Sequence, residues 1–148
     1  MTRGYVSLIL HAHLPYVRDN EDDFSLAEKW YQEAVTETYI PLIHVCQRLN
    51  GDQVPYKITI SISPSLASMM ADSLVQEHYS RYLDRLRELA AKEVWRTRND
   101  ARFNIVARMY QELFEATYRT LHNYHGNLIN AFEELQDSGH VEIITCAA

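Results

Sequence analysis

A chain of 148 residues suits one domain of ~100–200 residues, and 47% apolar with 23% charged residues is a globular composition, not that of a disordered chain. A formal charge of −6 without clustered Lys and Arg argues against a nucleic-acid or anionic-membrane binder, because phosphate binding depends on such clusters. Cys46 and Cys146 stand far apart in no CxxC pattern. With no signal segment ahead of them, they read as buried free thiols of a cytoplasmic protein.

Residues 5–10, Tyr-Val-Ser-Leu-Ile-Leu, form a β-rich apolar run of the kind buried on both faces in a parallel sheet. Pro15 and the acidic stretch containing Glu21, Asp22 and Asp23 end it. Ser25 is positioned to cap a helix, with Glu28 completing a capping box. The expected apolar stripe is Leu26, Trp30, Ala34, Val35, Ile40, Ile43, Cys46 and Leu49. Pro41 should kink or divide this helix, since it lacks a donor and its ring clashes with the preceding turn. Asn50-Gly51-Asp52 is a stop.

Residues 57–63 alternate and predict a second strand ended by Pro64. Residues 65–138 are helical in pattern. One stripe runs through Leu74, Tyr79, Tyr82, Leu86, Leu89 and Val94, another through Phe103, Val106, Tyr110, Leu113, Thr117 and Leu121, and a third through Leu128, Ile129, Phe132 and Leu135. Gly139 closes the last helix, and residues 141–145 are a third strand. The class is α/β, with three parallel strands and right-handed crossovers. Three such strands leave two open edges and make a poor self-sufficient sheet, so the chain reads as truncated.

His11-Ala12-His13 lies at the C-terminal end of the first strand, where α/β sheets and barrels bind ligands. Period-two alternation puts both rings on one face if the extended backbone persists. Neutral imidazole donates and accepts hydrogen bonds, which suits sugar hydroxyls, and it also binds metal. Two histidines held by backbone carbonyls are the alternative. His122 and His125 share a helix face without an evident third ligand, and His44, His78 and His140 are isolated, so no metal cluster is expected.

The string His11-Ala-His-Leu-Pro-Tyr16 resembles the first signature of glycoside hydrolase family 57, its branching-enzyme group above all. The resemblance continues through Trp30, Glu33-Ala34, residues 36–42 and residues 61–66, and ends at residues 139–144, which look like the second signature. It implies that residues 1–148 are the opening of an incomplete (β/α)7 barrel, with a long helical insertion between strands two and three. It implies an α-glucan substrate bound by His11, His13, Tyr16 and Trp30, with no metal and no cofactor. Trp30 would stack on a sugar face; packing on the helix's apolar stripe is its other reading. Tyr16 either borders the cleft or anchors its loop.

In that family a Glu nucleophile and an Asp acid/base lie on later strands and retain configuration. Such chemistry needs two carboxyl groups ~5–5.5 Å apart, and the ends of the first two strands carry His11, His13, Ser63 and Pro64. Glu142 falls near the start of strand three and suits a structural hydrogen bond; Glu33 reads as a solvated helix residue. The expected partner is an α-glucan together with the missing C-terminal remainder of the barrel, and no activity is expected of the chain alone. Two other readings stay open: a barrel metallohydrolase with the histidine pair as ligands, and a non-catalytic helical interaction module.

Overall fold

The computed structural model describes Gly4, residues 6–19 and residues 25–146. Strands β1 (Ile9–Ala12), β2 (Ile58–Ile62) and β3 (Val141–Thr145) form one parallel sheet in the order β1-β2-β3, as helical crossovers require. β3 has its expected bounds. β1 is shifted: Val6 is fully exposed, pairing begins with Ile9 opposite Thr59, and His11 lies inside the strand. The apolar run has no paired strand before Ile58 to lie against. Tyr5, the acidic residues 21–23 and Ala148 lie outside the described residues.

The strands are not covered on both faces. Ala12, Ile60, Ile62 and Val141 are buried, with Leu10, Ile58 and Ile143 packed beside them. Every second residue thus faces the helices. The opposite face carries Ile9, His11, Thr59, Ser61, Glu142 and Ile144. Ile9 is 49% and Ile144 40% exposed, so among the described residues no layer covers this face.

The helices are α1 (Leu26–Ala34), α2 (Ile40–Gly51), α3 (Pro64–Ala71), α4 (Ser73–Arg96), α5 (Ala101–Asn123) and α6 (Ile129–Asp137), with a π-helical turn at Val35–Tyr39. That turn is how the chain accommodates Pro41, which stands in the first turn of α2. The wider turn changes which carbonyls face a ring that cannot donate. Thr36 in this turn donates to the Gln32 carbonyl at 2.8 Å and shares a 3.0 Å hydrogen bond with the Tyr79 hydroxyl. Burial pushes the Tyr79 phenol well up, which keeps it a neutral partner. Ile40, Ile43 and Cys46 of α2, Leu66, Met69 and Met70 of α3, and Ala131, Phe132 and Leu135 of α6 complete the core. Each large apolar side chain so buried contributes about 1.5–3 kcal/mol relative to exposure.

Three expected stripes are corrected. Leu26 and Trp30 are 74% and 58% exposed, and α1 instead buries Glu28, Tyr31 and Gln32, with Val35 a turn later. Trp30 is therefore not a core residue. In the α4–α5 hairpin, Val75, Tyr79, Leu83, Thr117 and Leu121 are buried, whereas Leu89, Phe103, Val106 and Tyr110 are exposed. Helices of ~35 Å outrun the small sheet, so only their basal ends reach the core. Arg87 braces the hairpin through Glu115 at 3.0 Å and lies 3.8 Å over the Tyr118 ring.

Cys46 is buried, and burial raises its thiol pKa. Cys146 is exposed, contrary to the expectation of two buried thiols, because it follows β3 on the uncovered rim. No described helix is long and apolar enough to cross a membrane.

His44 provides a pH-dependent test of the α2–α5 contact. Its Nε2 lies 2.6 Å from Thr120 Oγ1, and burial first, then the Arg119 charge, hold its pKa below the ordinary 6.5. The unfolded chain binds this proton more tightly, so stability is whole above pH ~6.5 and erodes below it. His44→Gln should flatten the fall in urea midpoint between pH ~7.5 and ~5.5. A slope equal to the parent's would refute the assignment.

Candidate functional site

His11 pairs in register with Ser61, and Ala12 with Ile62. Ala12 is 4% exposed and turned into the core, while His11 and His13 on either side are both exposed. Alternation puts His11 on the open face at the C-terminal end of β1, and His13, one residue past the strand, is exposed as well. Ser61 lies directly beside His11, about one strand spacing (~4.8 Å) away, and is itself buried. Its closeness depends on strand register, which the pattern along a single strand does not reveal.

The backbone after His13 is fastened from below. The Ser63 N–H donates to the Ala12 carbonyl at 3.0 Å, and Ser65 Oγ donates to the Leu14 carbonyl at 2.7 Å. Further on, the Val17 N–H points to Met69 Sδ at 3.3 Å, and Arg18 pairs with Asp72 at 2.9 Å. Asp72 also caps α4 through the Leu74 and Val75 N–H groups. Tyr16, between these ties, is 55% exposed. It does not anchor the loop by burial; its ring is presented to solvent near the strand ends. Trp30 is presented as well, from the outer side of α1, an element separate from the strands.

Glu28 behaves differently from the capping-box expectation. Ser25 Oγ does accept the Glu28 N–H at 3.2 Å. The Glu28 carboxylate, however, accepts the Asp19 N–H at 2.7 Å and meets His78 Nδ1 at 2.8 Å. Glu28 is 1% and His78 2% exposed. A pair 50 residues apart leaves no local pattern, and the sole sequence hint is that Glu28 shares a helix face with Tyr31 and Val35.

The other polar candidates resolve simply. Glu142 is exposed on the open face and accepts from Thr59 Oγ1 at 3.1 Å, toward the end of the sheet opposite His13. Glu33 pairs with Lys29 at 3.4 Å on the surface of α1. His122 and His125 are exposed, and His140 stacks on Tyr56 while bonding its carbonyl at 3.0 Å. Among the described residues no three His, Cys, Asp or Glu side chains converge as a metal site would need.

A groove of about 600 Å³ runs beside β3, lined by Ile62, Pro64, Phe132 and Ile144. Another of about 420 Å³ lies at the N-terminal end of the strands. Neither is lined by His11 or His13. The histidines stand on a sheet face with one wall, which is an open shelf.

The model for glycosyl hydrolase family 57 matches residues 7–148. The 1,4-α-glucan branching enzyme TK1436 of Thermococcus kodakarensis is 32% identical over 147 residues, covering 99% of this chain and 21% of that protein. Among solved structures, the α-amylase AmyC from Thermotoga maritima superposes with a TM-score of 0.93 at 40% identity, over 99% of this chain and 28% of that one. The branching enzyme from Pyrococcus horikoshii gives 0.89 at 32% identity, over 98% and 27%. The chain thus spans a fifth to just over a quarter of the length of these relatives.

Proposed function

Because the chain belongs to glycosyl hydrolase family 57, we propose that it is the opening part of an incomplete (β/α)7 barrel, related to the glucan branching enzymes, in which His11, His13, Tyr16 and Trp30 bind the glucosyl units of an α-glucan. The observation that carries this reading is the pair of exposed imidazoles on the uncovered sheet face, beside Ser61. That face is the inner wall of a barrel closed by further strands, and α3 to α6 are a helical insertion between its second and third strands. The strand ends hold hydrogen-bonding side chains and no carboxylate pair. The nucleophile and the acid/base belong to polypeptide other than residues 1–148. The metallohydrolase and helical-module readings are not favoured by the relatives named above.

The test is made in a complete enzyme built on this segment. His11→Ala removes hydrogen bonds to hydroxyls at the reaction centre, and leaving a buried partner unpaired costs ~1–3 kcal/mol. The value of kcat/KM should fall roughly tenfold to a hundredfold, less than on loss of a nucleophile, and EDTA should change nothing. Activity abolished by EDTA and restored by zinc would instead make the histidines metal ligands. Unchanged kinetics with a lowered Tm would reduce them to structural residues.

A further inference from the structure

We propose that the buried Glu28–His78 pair is a positioning device for the loop of residues 13–19, setting where His13 and Tyr16 stand over the end of the sheet. The inference rests on the reading of those two residues as glucan-binding. Glu28 Oε1 holds the Asp19 N–H at 2.7 Å while Oε2 meets His78 Nδ1 at 2.8 Å. An ionised carboxylate only accepts, so His78 carries its proton on Nδ1 toward Glu28. Such charge-assisted bonds are short and stiff.

Among the ties along this loop, the pair differs in kind. The Met69 sulfur is a weak acceptor, and Arg18–Asp72 is partly open to water, at 31% and 22% side-chain exposure. Glu28 and His78 side chains are 1% and 3% exposed. A carboxylate so sealed cannot turn to water, and displacing the loop strands a buried charge. Capping α1 needs neither that burial nor a histidine from α4, since Ser25 alone supplies the cap. The division of labour suits a ligand-binding loop: its backbone is fixed from beneath while the His13 and Tyr16 side chains stay exposed.

The experiment measures amide hydrogen exchange and maltoheptaose affinity on the 148-residue chain. His78→Leu withdraws the donor and leaves the carboxylate with one partner. Exchange at Asp19 should quicken roughly tenfold to a hundredfold, and affinity should weaken at least about threefold. Thr117 and Leu121, buried in α5, should keep their protection. Glu28→Gln keeps an acceptor for Asp19 and offers His78 an amide N–H, which Nδ1 accepts once the imidazole carries its proton on Nε2 instead, and should hold both readouts to within about threefold of the parent. Should His78→Leu fail to fold, Glu28→Asp, which keeps the charge but draws it back by one methylene, is read in the same way. Protection lost equally at Asp19 and Leu121, or unchanged at Asp19, overturns the proposal. If the parent chain shows no affinity for maltoheptaose, the glucan reading fails for this chain, and exchange at Asp19 still decides whether the pair positions the loop.

Discussion

Amylose incubated with the 148-residue chain should yield no new reducing ends and no branch points. Retaining cleavage needs two carboxyl groups ~5–5.5 Å apart, and inverting cleavage a pair ~6.5–9.5 Å apart. Among the described residues the open face of the sheet carries one carboxylate, Glu142, and it is exposed, bonded to Thr59 and set toward the end opposite His13. Glu28 is a carboxylate near the loop, but at 1% exposure and engaged with two donors it is closed to substrate. His11, His13 and Ser61 can hold hydroxyls and cannot replace the missing pair. Without it, the ~10⁶-fold or greater acceleration typical of enzymes has no source. The check is a reducing-end assay beside a debranching assay. Turnover that follows the chain through purification and disappears in Glu142→Gln would overturn this account.

Glu28→Ala should be among the most destabilising single substitutions in the chain. It leaves His78 Nδ1 and the Asp19 N–H without their acceptor and opens a cavity beside Tyr31. Leaving a buried donor unsatisfied costs ~1–3 kcal/mol, and two are vacated here. For a chain of this size the ~2–6 kcal/mol total corresponds to a Tm lowered by roughly 4–20 °C. Glu33→Ala, one turn along the same helix and in a surface pair with Lys29, should stay within about 0.5 kcal/mol of the parent. Urea unfolding of both variants makes the comparison. A Glu28→Ala loss below about 1 kcal/mol would mean that water or a neighbouring group satisfies the vacated donors.

What local chemistry controls was legible in the order of residues. Residues 141–145 are β-branched at every position but Glu142 and follow Gly139, and β3 has those bounds; Ser25 caps α1; Pro64 ends β2 and opens α3. The parallel order followed from strands separated by helices, and the string from His11 to Tyr16 carried the family. Which faces are covered depends on how the elements pack against one another. Period-two and 3.6-residue patterns say that one side of an element is apolar; they do not say that another layer exists to meet it. Hence residues 5–10 gave the shape of a doubly buried strand, although one sheet face is open. Leu26, Trp30 and Phe103 fitted helical stripes, yet they stand in solvent. The Glu28–His78 pair lay beyond reach for a related reason. A buried hydrogen-bonded pair is fixed by the docking of α1 on α4, and that closure across 50 residues leaves no periodic trace in the chain.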